Sequence, residues 1–284
     1  MKKFLTFVMI VGHLLSIMSF YMISKIKYSS IIVQIVLFIF GFLGITAGYH
    51  RLWSHKSYEA NAFLQIFLMI FGTTATQGNA ITWVKEHRTH HRNEEKHGDP
   101  HNINRGFFHA HIGWLLFDYD KKELSEIQKT DISDLLKNKV LLFQRKHYSL
   151  LWWLFSIFIP LILSMIWNDI YNMFWLNIIR MCFIMHFTFF VNSLAHIIGN
   201  KPYDNTLKAS DNLLVSILTF GEGWHNYHHT FPKDYRASPG NVYNPTTWFI
   251  YLTKIFGLSK NLITNNGKIQ KTNKFDEKQY TQFI

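Results

Sequence analysis

Four long apolar runs organise this chain, at residues 4–23, 31–48, 150–167 and 171–191. Each approaches the ~20 residues with which an α-helix crosses a bilayer, and Arg180 is the one charge within them. Short polar segments, 24–30 and 168–170, join the runs in pairs, so the pattern predicts two helical hairpins. The first run follows Lys2 and Lys3 in the manner of a signal peptide. It lacks a small-residue cleavage site and a second span follows at once, so it reads as an anchor. A hairpin returns the chain to the side it left, which puts residues 49–149 and 192–284 on one side. The expected fold is an all-α integral membrane protein, one domain over residues 1–284. Four transmembrane helices form two hairpins beneath a cytosolic helical cap.

Composition fits this division. The 284 residues are 48% hydrophobic, yet the mean hydropathy is only +0.02, because polar segments separate the runs. The net charge is +11, and residues 49–149 and 192–284 carry 24 of the 29 Lys and Arg. Lys2 and Lys3 fall on the same side, whereas the short loops hold only Lys25 and Lys27. Positive charge marks the cytoplasmic face, here of a bacterial inner membrane or the endoplasmic reticulum. It suits anionic lipids and an acidic substrate or partner, and the spans argue against nucleic acid. The single cysteine, Cys182, lies in the fourth run. No disulfide forms within the chain, no thiolate metal site is available, and Cys182 reads as a small packing residue. The Lys/Asn/Gln-rich tail from Asn261 reads as a loosely ordered terminus.

The sixteen histidines change the picture most. Three occur in His87-Arg-Thr-His90-His91 and three at the same spacing in His225-Asn-Tyr-His228-His229. Residues three and four apart share a helix face, so each box offers up to three imidazoles along one stripe. His50 and His55 form a third box. Five residues apart, they stand about 140° around a regular helix, and converge only if the helix ends or bends there. Eight clustered imidazoles exceed the four ligands of one zinc ion and suit two metals with open positions. Imidazole serves zinc, copper, iron and nickel alike. His-Glu-x-x-His is absent and no Ser/His/Asp arrangement is evident, so redox chemistry on an apolar substrate is the better reading. His13, His147 and His186 read as structural. A bis-histidine haem electron carrier would need isolated axial histidines, and a metal transporter would place them within spans. Gly41, Gly44 and Gly48 form a small-residue stripe leading to His50. Such a stripe serves helix packing or a thin ligand, and an acyl chain lying along it would be delivered to the histidines.

With their neighbours the boxes resemble the membrane fatty acyl-CoA Δ9 (stearoyl-CoA type) desaturases. The resemblance spans roughly residues 40–257. It includes Gly44-Ile-Thr-Ala-Gly48, Asp99-Pro-His-Asn102, Asn192-Ser-Leu-Ala-His196, Lys201-Pro-Tyr-Asp204 and Gly221-Glu-Gly-Trp-His225. It implies two irons held by nine histidines: His50, His55, His87, His90, His91, His196, His225, His228 and His229. Asn192 is similar to a family residue that meets one iron through water. The implied reaction takes two hydrogens from adjacent methylenes of an acyl-CoA, introducing a cis Δ9 double bond while O2 is reduced to water. Two electrons come from an external donor, cytochrome b5 or a ferredoxin. Glu86, Glu94, Glu95, Asp99 and Glu222 are candidates to orient the imidazoles. Lys85 and Glu86 replace the Arg-Asp that contacts CoA in animal members, and a lysine does not reproduce a bidentate fork. An acyl-lipid substrate, or hydroxylation by a related di-iron enzyme, therefore stays open. Phe38, Phe42 and Phe189 are candidate acyl contacts. Phe189 stands where relatives carry tryptophan, and Phe42 where many carry a small tunnel residue.

Overall fold

The computed structural model describes residues 2–240 and 242–265, so the tail beyond 265 lies outside the described residues. Helix α1 (Lys3–Met22) is apolar all round and leaves Phe4, Phe7, Leu14, Ile17 and Phe20 exposed, the surface that a bilayer solvates. Helix α2 (Tyr28–Leu43) continues without a break as a π-helix over Gly44–Ser54. Two helices of the cap follow, α3 (Ala62–Thr74) and α4 (Ala80–Asn93), each started by an asparagine side chain. Asn61 accepts from the Leu64 amide and Asn79 from the Thr82 amide.

Short helix α5 (Trp114–Leu116) leads to α6 (Lys121–Lys129), which opens with a reciprocal Asp120–Glu123 capping box. Helix α7 (Lys139–Trp152) passes through a π-helical stretch, Trp153–Phe158, into α8 (Ile159–Met165). Helix α9 (Ile170–Asn192) is the fourth span. The rest of the cap contains α10 (Leu213–Leu218), α11 (His225–Thr230) and α12 (Pro245–Ile255). A two-residue antiparallel pair, β1 (Glu59–Ala60) with β2 (Ser259–Lys260), ties the chain's last described segment to the first histidine box.

Among the described residues four helices are long and apolar enough to cross a membrane: Lys3–Met22, Tyr28–Ser54, Lys139–Met165 and Ile170–His196. Three of them outrun the apolar segments read from sequence. Hydropathy marks only the part a helix gives to lipid, and the backbone carries on into the cap. The hairpin loops meet. Asp169 accepts from the Ser30 hydroxyl (2.6 Å) and the Lys27 amide (3.0 Å), and Asn172 exchanges two hydrogen bonds with the Ser24 backbone. The charge within the spans is served internally. Arg180 donates from Nε to Gln34 (3.0 Å) and from Nη1 to the Thr74 carbonyl (3.0 Å), as an intramembrane cation requires.

The glycine stripe faces a helix. A Cβ built on Gly44 would lie 2.1 Å from the Gly72 nitrogen, and one on Gly48 would lie 3.1 Å from the Leu68 side chain. Both neighbours belong to α3, and Gly41 meets Ile184 and Thr74 at 3.1 and 3.4 Å. The stripe therefore seats α3 and does not form an acyl path. Gly44→Ala should lower stability by about 1–3 kcal/mol, the usual cost of overpacking. Unfolding in detergent checks this, and an unchanged midpoint would contradict the contact.

Candidate metal centre

The nine histidines converge, but not box by box. His50, His55, His87, His91 and His228 form one cluster, and His90, His196, His225 and His229 form another. Within each cluster the ligand nitrogens all lie within 4.8 Å of one another. The helical boxes are thus shared. The i, i+4 pair His87 and His91 joins the first cluster while His90 turns to the second. The reverse holds on α11, where His225 and His229 join the second cluster and His228 crosses to the first. On a helix, positions three apart fall about 60° short of a full turn and positions four apart about 40° past it. One three-histidine box can therefore feed two centres.

The first box meets its spacing where the helix changes its winding and ends: the π-helix stops at Ser54 and His55 caps it. Its π-helical winding replaces i→i+4 hydrogen bonds by i→i+5, and the His55 amide donates to the His50 carbonyl at 3.1 Å. Residues five apart then lie one turn above each other, and the two ring centroids are 4.8 Å apart.

The donor set is one that a cation would satisfy. Nε2 atoms face one another at 3.0 Å for His50–His228, 2.8 Å for His55–His87 and 3.0 Å for His91–His228. In the second cluster they do so at 3.0 Å for His196–His225 and 3.1 Å for His225–His229. The His90 Nε2 is buried without a hydrogen-bond partner. Behind the rings, carboxylates take the other nitrogen. Glu222 lies 2.8 Å from His50 Nδ1, Asp99 2.8 Å from His90 Nδ1 and Glu94 2.7 Å from His229 Nδ1. Glu95 stands 3.9 Å from His196 Nδ1. A carboxylate on Nδ1 fixes the proton there and leaves the Nε2 lone pair for a metal. Burial, followed by the neighbouring imidazoles, holds His87, His91, His225, His228 and His229 well below the ordinary histidine range. These five rings favour the neutral form in which imidazole ligates, whereas for His90 burial is outweighed by Asp99 and its pKa is raised. The arrangement fits two metal ions.

An apolar cavity opens beside both clusters, and its wall includes His50, His87 and His225 with Phe42, Ile45, Thr46 and Phe189. Asn192 and Glu86 also line it; Phe38 and Lys85 are not on the wall. Phe38 supports Phe42 from behind, with centroids 5.0 Å apart. Glu86 is half-buried and accepts a hydrogen bond from the Tyr119 hydroxyl at 2.8 Å. Burial raises its pKa above the usual carboxylate range.

Three residues escaped the sequence reading. Arg51, inside the first box, is 1% exposed and grips Glu222 from Nε and Nη2 at 3.2 and 2.8 Å. Trp83 stacks on His87 with centroids 4.9 Å apart. His101 lies 5.5 Å from the His90 ring, its pKa pushed down to about 3 by burial and by His90. The Arg between His50 and Leu52 and the His of Asp99-Pro-His-Asn102 were the available signals. Neither spacing announces a role.

Comparison with known proteins bears on the same residues. Residues 29–236 match the family described as fatty acid desaturase. The chain is 42% identical to the acyl-CoA Delta(11) desaturase of Trichoplusia ni, over 92% of its own length and 75% of the relative's. It is 43% identical to the Delta(9)-fatty-acid desaturase fat-6 of Caenorhabditis elegans, over 84% and 71%. Stearoyl-CoA desaturase 5 of Homo sapiens is 41% identical, over 87% and 76%.

Proposed function

This chain belongs to the fatty acid desaturase family, and from that premise we propose that it introduces a cis Δ9 double bond into a saturated C16–C18 acyl-CoA. The overall change is –CH2–CH2– + O2 + 2 electrons + 2 H+ → –CH=CH– + 2 H2O. The observation that supports it is the apolar cavity walled by histidines of both clusters. An unactivated methylene offers no acidic proton, so its oxidation needs a cofactor strong enough to take hydrogen. Two irons, held by the five and four histidines, supply that oxidising power when bound.

The chain's own part is positioning. Asp99 and Glu222 keep the Nδ1 protons of His90 and His50 in place, and Glu94 lies 2.7 Å from His229 Nδ1. Apolar walls exclude water and hold one pair of methylenes beside the histidines. Asn192, on the same wall, is suited to orient a water at the second cluster. The electrons come from a separate cytochrome b5 or ferredoxin. The cap and its positive charge lie on the cytoplasmic side, where an anionic CoA headgroup is available. Expression in a desaturase-deficient host should restore a Δ9 monoene. A hydroxylated product would favour the oxygenase reading, and an unchanged lipid profile would refute desaturation.

Phe42 packs edge to face on Phe38 and against Phe220, with centroids 5.0 and 5.3 Å apart, and it lines the cavity. A fully buried phenyl ring there limits the cavity's depth. Phe42→Ala should shift preference toward longer acyl chains by roughly tenfold, the effect of one or two methylenes in an apolar pocket. Competition between matched C16 and C18 substrates measures this, and an unchanged ratio would remove Phe42 from the specificity determinants.

A further inference from the structure

We propose that His13, Cys182 and His186 bind one soft d10 cation, Cu(I) or Zn(II), between α1 and α9, apart from the nine-histidine centre. A hydrogen-bonded chain of three imidazoles carries the argument. His13 Nδ1 lies 2.6 Å from the Met9 carbonyl, which only accepts. The His13 proton is therefore on Nδ1 and its Nε2 is bare. At the other end His111 Nδ1 lies 2.9 Å from Ser193 Oγ, and that hydroxyl donates its own proton to the Phe189 carbonyl at 2.9 Å. Ser193 must accept, so the His111 proton is also on Nδ1 and its Nε2 is bare. His186 Nδ1, 2.9 Å from that Nε2, has to donate.

His186 has then used its only proton. Its Nε2 nevertheless lies 2.8 Å from the bare Nε2 of His13. Four contacts share three protons, and two lone pairs face each other. The same Nε2-to-Nε2 contact recurs in both clusters of the metal centre, so His13 and His186 present the donor arrangement that a cation would satisfy.

Cys182 decides which cation. It sits one turn before His186, at i, i+4 on the same face of α9. Its sulfur and the two histidine nitrogens all lie within 4.8 Å of one another. With metal–nitrogen bonds of about 2.0 Å and metal–sulfur bonds of about 2.3 Å, ligand atoms on one ion stand roughly 3.3–3.6 Å apart. Small rotamer shifts close the difference. Thiolate with imidazole selects Cu(I) and zinc over hard cations. On binding, the thiol proton leaves to solvent and the thiolate neutralises Cu(I) completely and Zn(II) by half, which favours Cu(I) of the two. A proton trapped between the rings would instead leave an uncompensated imidazolium within a span, which is expensive there. His111 accepts from His186 Nδ1 and orients the ring, as metal-bound histidines usually require. The sequence reading of Cys182 as packing, and of His13 and His186 as structural, gives way to a junction that fastens α1 to α9.

The iron-loaded full-length protein in detergent is equilibrated with buffered Cu(I) or Zn(II), passed over a desalting column and assayed for metals. One equivalent of copper or zinc should remain besides the iron. His13→Phe and Cys182→Ala should each lower it at least tenfold while the iron content stays unchanged. X-ray absorption at the copper or zinc edge should show one sulfur and two nitrogen neighbours. A wild-type protein that retains only iron overturns the proposal and leaves a shared proton between the rings. Retention of the extra metal by both variants overturns the ligand assignment.

Discussion

His228→Ala should abolish the unsaturated product and remove one of two iron equivalents, and His225→Ala should do the same at the other cluster. The first substitution deletes a ring whose Nε2 lies 3.0 Å from both His50 and His91. The second deletes one that lies 3.0 Å from His196 and 3.1 Å from His229. Although both residues belong to one six-residue helix, they serve different centres. Double variants make the division measurable. His91→Ala with His228→Ala strikes one cluster and should cost one iron, whereas His91→Ala with His225→Ala strikes both and should cost two. Iron analysis of the purified proteins reads this directly. If His225 and His228 variants lose the same iron, each box serves a single metal and the crossed arrangement is wrong.

Arg51→Ala should destabilise the protein by about 3–5 kcal/mol, the cost of leaving one partner of a buried ion pair alone. The guanidinium makes two contacts to Glu222, and others to the Tyr235 carbonyl (3.1 Å), the Thr247 hydroxyl (3.0 Å) and the Asn244 side chain (3.2 Å). The same Glu222 reaches His50 Nδ1 at 2.8 Å, so the loss passes to a candidate ligand. Arg51→Lys keeps the charge without the fork, and should recover part of the stability while iron binding stays weakened. Denaturant unfolding and iron affinity measured on the same samples separate the two effects. A wild-type midpoint in Arg51→Ala would show that the pair carries no net stability.

Much of this protein was legible in its sequence because the signals are local. A run of ~20 apolar residues has few destinations other than lipid, and 4–23, 31–48, 150–167 and 171–191 each overlap one of the four helices that, among the described residues, are long and apolar enough to cross a membrane. Repeated imidazoles at helical spacing marked the eight box histidines as one chemical unit, and the likeness to desaturases added His196. Tertiary structure decided what depends on residues far apart along the chain. Spacing shows that three histidines share a face, but not which rings turn to which centre. That division depends on how α4, α11 and the π-helix from Gly44 to Ser54 cross. The π-winding itself hides in a sequence that would suit an α-helix, so His50 and His55 gave no sign of lying one turn apart. The glycine stripe was visible, yet only the position of α3 assigned it to packing. His13, His111 and His186 are isolated letters, 98 and 75 positions apart, and only folding makes them a chain with one proton too few. Arg51 looked like another positive charge on the cytoplasmic side. Burial against Glu222 makes it a support of the metal centre, because a charge without water must find its partner inside the protein.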